Sequence, residues 1–538
     1  MTALQASPRI ARALTALAFV CLGGTASAHV MPLTDRQIAA GSPHVVVAVV
    51  ESARPRWNDR HNLILTDYAL RVENRLKGDA PDRFTLSIPG GTVDGETHSA
   101  CVSTPLEAGA RYLLFLQDLG HPVLVPVTGG WQGAYREVPA KGKRGEFSQV
   151  VRAARELLAR VEADPRPSDT AWMAAAENDA LPAKFYDPTP RATPPLTAAL
   201  DPATAAPPKD LRYFVENPAT APLTFDPLPS DSPFSPGDRD MMALWNRYLR
   251  RPLFLVNRTP SPGWAFGNGV SEIAGFPSSQ ELQDQLGHGW FSGAFSTVLT
   301  VIREGHIVEA DIALNPARSW IAESWEPMLS TFDGPLSFNP AILMDLGTAW
   351  GYQGPRSFYA EEPADRLVDS IMEPGLGDSY SVLMPADTAA VRATYGGKPI
   401  RDGAISPYSN FLTEEGFPAS AHAYASVDQA AAGSAFAIVH PIKIENPGTV
   451  ALRRPTVEVY LAPTRGSLTG AVLLKRLGLR GNVPPGGTRP VELGTVRIPP
   501  KTRAGVYHLV YVLRDPADAY QANNRAWTYS DVPVTVTR

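Results

Sequence analysis

Between Leu181 and Asp210 the chain holds eight prolines, with alanine and threonine filling the gaps. Proline fixes φ and lacks an N–H, so a run this dense supports neither a helix nor a sheet ladder. The segment 164–210 therefore reads as an extended linker that divides the 538 residues into separate folding parts. A chain of that length exceeds what one hydrophobic core serves, and about three domains are expected. Hydrophobic residues at 44% and charged residues at 19% describe globular parts, not disordered ones.

Residues 1–28 read as a signal peptide. Arg9 and Arg12 form its positive start, Ala13 to Leu22 its apolar run, and Ala26-Ser27-Ala28 its small-residue cleavage site. That run is too short to cross a bilayer and no later one reaches about 18 residues, so no membrane span is expected. The mature chain is expected to be secreted or periplasmic. Cleavage removes two arginines and no acid, taking the net charge from −5 to −7. An acidic surface argues against nucleic acid or anionic membrane as a partner. Cys101 alone survives cleavage; it cannot form an intrachain disulfide and reads as a buried thiol. An N-terminal His29 could chelate copper with His44, His61 or His98, but the simpler reading is an accident of cleavage.

Residues 43–135 alternate short β-branched runs with turn signals. Val45-Val46-Val47-Ala48-Val49, Arg71 to Gly78, Pro89-Gly90-Gly91-Thr92-Val93 and Gly109 to Leu116 follow one another. Phe84 to Ile88 reads as a strand ending at Pro89-Gly90-Gly91. This order resembles the netrin-like, OB-type β-domains of exported bacterial proteins and implies a small barrel or sandwich over 29–163. Residues 147–162 carry apolar positions at helical spacing, so a trailing helix is expected. A second linker is expected over 401–432, where Ala, Ser and Gly replace periodic apolar residues. Residues 433–538 read as all-β, with Ala435 to Ile444 a candidate strand pair. Their end, Ala504 to Leu509 with Asp515 and Asn523-Asn524-Arg525, resembles the CARDB-type immunoglobulin-like modules, which implies a β-sandwich.

The middle, 211–400, opens with Leu211 to Val215, then a helix around Trp245-Asn246, then Trp264 to Ile273. Gly305-His306-Ile307-Val308-Glu309-Ala310-Asp311-Ile312-Ala313-Leu314-Asn315 follows. Ser370-Ile371-Met372-Glu373-Pro374 and Leu383 to Gly396 come last. This succession resembles the matrixin branch of the metzincin metalloproteases, and implies an α+β domain. The resemblance makes the ADIxxN strand, with Asp311, Ile312 and Ala313, a sheet edge that pairs with extended substrate. It makes Met372 the Met-turn and 383–396 the closing helix.

The metzincin motif H-E-x-x-H-x-x-G-x-x-H falls on Met344 to Gly354. Met344, Thr348 and Gly354 stand at the three zinc-ligand positions, Asp345 at the general-base position, and Gly351 keeps the turn glycine. A thioether, a hydroxyl and a glycine are not zinc ligands. Without the metal no bound water is acidified, so the zinc is read as lost and the domain as inactive. Calcium at Glu309 and Asp311 stays open, since matrixins often hold structural calcium, although paired acids on a strand are more often simply solvated.

The whole reads as a multidomain protein: an N-terminal β-barrel or sandwich, a central α+β metzincin-like domain and a C-terminal β-sandwich. The expected function is a secreted pseudoprotease that binds a peptide or protein in the cleft. One alternative is an active zinc endopeptidase with non-standard ligands, Asp345 with Glu361, Glu362 or Asp365. Another is an adhesion protein acting through its β-domains.

Overall fold

The structure is a computed structural model. It describes residues 35–100, 105–117, 127–128, 133–137, 146–163, 211–213, 222–229, 232–258, 264–286, 296–317, 320–321, 336–355, 371, 383–406, 408–412, 418–464, 467–527 and 533–538. Residues 1–28, expected to be a signal peptide, Cys101, the proline-rich segment and Met372 lie outside these residues. Among the described residues no helix is long and apolar enough to cross a membrane.

The N-terminal part runs α1 (Asp35–Ala40), β1 (His44–Trp57), β2 (Ile64–Lys77), β3 (Arg83–Val93), β4 (Glu96–Ala100), β5 (Arg111–Leu116), β6 (Ala134–Arg136) and α2 (Glu146–Ala163). The apolar run in β1 is buried on both faces. Val45 and Val47 pack with Phe147, Val150 and Leu157 of α2, while Val46, Ala48 and Val50 pack with Leu70, Leu86 and Leu114. A strand covered on both sides reads as a continuous apolar run, not an alternating one.

β3 does not end at Pro89-Gly90-Gly91. It pairs with β2 up to Pro89 and with β4 from Gly90 to Val93. Gly90 and Gly91 have φ of 120° and 131°, which residues with a side chain rarely adopt. The strand bends there and passes from one ladder into the next.

The middle part adds β7 (Leu211–Tyr213), β8 (Leu223–Asp226), α3 (Ser235–Arg247), β9 (Phe254–Val256), β10 (Ser271–Gly275), α4 (Ser279–Leu286), β11 (Ser296–Arg303) and β12 (His306–Leu314). After these come β13 (Trp320–Ile321), β14 (Leu336–Ser337), α5 (Phe338–Ala349), β15 (Tyr352–Pro355) and α6 (Pro385–Tyr395). One eleven-stranded sheet runs β6-β5-β1-β2-β3-β4-β11-β12-β10-β8-β9. Pairing is antiparallel from β6 to β12 and parallel from β12 to β9.

Two expectations are corrected by that order. The sheet crosses the boundary drawn between 29–163 and 211–400, because β4 pairs with β11 from Glu96↔Arg303 to Ala100↔Leu299. Leu63, Leu65 and Ala100 of the N-terminal part belong to the middle part's core. Among the described residues the N-terminal strands extend the central sheet and do not close on themselves. The strand holding Asp311, Ile312 and Ala313 is also not an edge. Ile312 pairs with Val298 of β11 on one side and Ile273 of β10 on the other. Every residue from Glu309 to Leu314 is buried, as expected of a strand with neighbours on both sides.

Helices α3 and α5 pack together. Trp245 donates its Nε1–H to the Leu343 carbonyl at 3.0 Å and stands edge-on to Trp350 at 5.7 Å. Trp350 stacks on Tyr352 at 5.1 Å. α5 is apolar nearly all round, which suits a helix inside a core rather than on a surface.

Beyond α6 the chain is all β. Thr456–Ala462 pairs with Val472–Gly478 and Gly505–Arg514. Ala435–Val439 pairs with Thr495–Arg497, and Ile442–Glu445 with Thr488–Val491. Phe436, Ile438, Ile444, Val457, Leu509 and Tyr511 share one core, so these layers pack face to face. Ala435 to Ile444 is not a paired hairpin: the chain breaks at His440, φ 65°, and its halves join different ladders. Nor is 401–432 a bare linker. It supplies the strands Ala404–Ser406, Tyr424–Ala425 and Gln429–Ala431 to this unit, where partners provide the ladder that the Ala- and Ser-rich sequence does not announce.

This unit docks on the middle part through buried polar contacts. The Tyr248 hydroxyl donates to Asp402 Oδ2 at 2.5 Å and Asn523 Nδ2 donates to Oδ1 at 2.8 Å. Arg247 lies 4.1 Å over the Tyr520 ring, and Thr388 Oγ1 donates to the Pro447 carbonyl at 2.8 Å. Burial pushes the Asp402 carboxyl up to about 7, against the opposing pull of the hydrogen bonds from Asn523 and Tyr248.

Candidate functional site

The segment Met344 to Gly354 is a helix, a glycine turn and an exit strand. α5 ends at Ala349, Gly351 takes φ 94°, and β15 leaves antiparallel to β7 with Gly354 opposite Arg212. Met344 is 8% exposed, Asp345 0% and Thr348 3%. Ser296 Oγ, at the start of β11, donates to Asp345 Oδ1 at 2.9 Å. The carboxylate expected as a general base is therefore held inside the protein. A catalytic zinc needs three nitrogen or oxygen donors around an open position. The residues at the three ligand positions do not fit it. Among the described residues no group of three His, Cys, Asp or Glu side chains is placed to hold a metal ion.

Glu361, Glu362, Asp365 and Met372 lie outside the described residues. Ile371, beside Met372, is buried, and its N–H donates to Asp387 Oδ2 at 3.0 Å. The same oxygen accepts the Met384 N–H at 2.9 Å, so Asp387 ties residue 371 to the start of α6.

Glu309 and Asp311 are occupied with backbone. The Glu309 carboxylate accepts N–H groups from Gly267 at 2.8 Å, Asn268 at 3.1 Å and Gly269 at 2.8 Å. Asp311 Oδ1 accepts the Glu272 N–H and Glu272 Oε2 the Ala265 N–H, each at 2.9 Å. Three acids thus shape the loop that enters β10. Burial pushes all three pKa values up, and lifts Asp311 well above the usual carboxylate range, with the neighbouring Glu309 and Glu272 adding to the rise.

The seam between β4 and β11 carries a cluster that sequence reasoning missed. His98 is buried, accepting the Ile64 N–H at Nδ1, 3.1 Å, and facing Glu96 Oε1 through Nε2 at 2.7 Å. The ring meets Trp57 and Phe266 edge-on at 5.1 and 5.3 Å. Arg303 Nε donates to Glu96 Oε2 at 2.9 Å. Burial lowers the His98 pKa, which keeps the ring neutral. Burial alone would raise Glu96, but hydrogen bonds from His98 and Arg303 outweigh it and the pKa falls. With Nδ1 accepting and Nε2 turned to a carboxylate, His98 has no free nitrogen for base catalysis. The cluster joins two parts of the chain. From sequence, His98 stood out only as a possible copper partner of His29, and Glu96 and Arg303 did not stand out, since nothing local shows that their strands meet.

A scan against models of known protein families finds no match to this chain, and a search of curated proteins finds no relative.

Proposed function

We propose that this chain is an exported, proteolytically silent relative of the matrixins, and that its function is protein binding. The middle part is its scaffold. One observation carries the reading: Met344, Asp345 and Thr348, at two ligand positions and the base position of the metzincin motif, are all packed inside the core. A working site would turn them towards a cleft and a metal. The same reading moves the partner away from the β12 strand, which has neighbours on both sides. Strand addition needs an unpaired edge, and β11 is likewise covered, by β4. Neither β12 nor β11 therefore offers a partner an open ladder. Metal analysis of the purified protein by mass spectrometry, with a casein cleavage assay, tests the proposal. The expected result is substoichiometric zinc and no cleavage above background. One zinc per chain with chelator-sensitive cleavage would overturn it.

A further inference from the structure

A cleft of about 320 Å³ opens between α2 and the strands β1, β2 and β5. Its floor is apolar, made by Val47, Phe147 and Val151. Its rim is cationic, with Arg111 from β5 and Arg152 and Arg155 from α2. Arg152 and Arg155 are three apart on the helix and so share a face. Asn74 of β2 adds an uncharged amide.

The three arginines are not equivalent. Arg111 is already held: its Nε donates to Glu73 Oε2 at 2.7 Å, Nη1 lies 3.5 Å from Glu137 Oε2, and its guanidinium sits 5.1 Å over the Phe147 ring. Arg152 and Arg155 are exposed and have no ion-pair or hydrogen-bond partner among the described residues. The chain as a whole carries net charge −5, so three guanidinium groups around one cleft are a local feature and not a reflection of a basic protein.

We infer that this cleft binds a small organic oxyanion, a phosphate or carboxylate carried on an apolar or aromatic body. Planar guanidinium forks match both oxyanions in a bidentate manner. The apolar floor takes the body, and the volume falls at the low end of ligand clefts, which run from about 300 to 1,000 Å³. The inference does not depend on the reading of the middle part.

Isothermal titration of the full mature chain tests it, with phenyl phosphate, benzoate, inorganic phosphate and phenol as probes. At least one of the two organic anions binds saturably. Inorganic phosphate and phenol, each lacking one half of the recognised ligand, bind at least about tenfold more weakly. Whichever organic anion binds more tightly shows whether a phosphate ester or a carboxylate is the ligand. The double variant Arg152→Ala, Arg155→Ala weakens the same binding by about tenfold or more. Both changes are at exposed helix positions and introduce the best helix former, so the fold persists. Arg251→Ala, in the middle part, leaves affinity unchanged. No saturation by either organic anion up to about 10 mM, equal affinity in the double variant, or inorganic phosphate binding as tightly as phenyl phosphate would each overturn the inference.

Discussion

Asp402 makes the stability of this protein fall as pH rises through the weakly acidic range. Its carboxyl is fully buried between α3 and the C-terminal unit, facing Tyr248, Asn523, Asp518 and Arg247. Its pKa rises from 3.8 to about 7 on folding. Below about pH 4 the group is protonated in both states and its contribution is complete. Between about pH 4 and 7 the unfolded chain loses the proton while the folded chain keeps it, so the folded state loses ground. Above about pH 7 the loss is complete. A difference of about three units corresponds to about 4 kcal/mol, as an upper figure. The variant Asp402→Asn keeps the shape and removes the titration. Tyr248 and Asn523 both donate to residue 402, and an amide cannot accept on both sides, so the variant starts about 1 kcal/mol less stable at pH 4. Urea unfolding at pH 4, 6 and 8, followed by near-ultraviolet circular dichroism, measures the difference. The wild type is the more stable protein at pH 4 and the less stable at pH 8. Parallel pH profiles for the two proteins would refute the argument, because they would mean that Asp402 titrates alike folded and unfolded.

Gly91→Ala destabilises the protein by about 2–3 kcal/mol in urea unfolding, since φ is 131° and the new Cβ would lie 2.5 Å from Thr66 Oγ1 and 3.0 Å from Pro55 Cβ; an unchanged midpoint would remove the case for a glycine bend in β3. Thr348→His costs about 1–3 kcal/mol by overpacking a residue only 3% exposed, and the variant gains no zinc by mass spectrometry. Glu309→Gln costs about 1–3 kcal/mol, because the amide keeps one acceptor oxygen for the Gly267 and Asn268 N–H groups and turns its NH2 donor towards the Gly269 N–H. Faster amide exchange at Gly269 reports that loss, and a wild-type protection factor there would count against it.

The residues that announced themselves are those whose structure is locally determined. The helix over 147–162 appears as Glu146–Ala163, because its apolar spacing already specified one buried face. The run at Val45 to Val50 is a doubly covered strand, and Gly351, expected as the turn glycine of the motif frame, takes a positive φ where the chain turns. What was illegible depends on partners far away. Pro89-Gly90-Gly91 looks like the end of a strand and is a bend inside one, and only the presence of β4 decides between the two. Asp311 to Ala313 has the composition of either an edge or an interior strand. Its second neighbour, β10, comes from residues 271–275, and its first, β11, is itself covered by residues 96–100. At the candidate site, the identities of Met344, Thr348 and Gly354 argued against zinc from sequence alone. The burial of Met344, Asp345 and Thr348 and the Ser296 contact required the structure.

The single sheet also sets a schedule for folding. Glu96 and its partner Arg303 lie 207 residues apart. At roughly 5–20 residues per second, synthesis takes about 10–40 s to cover that gap. Throughout it β4 has no β11 to pair with, and an open strand edge invites wrong partners. Pairings this distant in sequence also form slowly once both strands exist. Among the described strands, the β3–β4 hairpin therefore waits longest for its partner and depends on being shielded while the chain is incomplete.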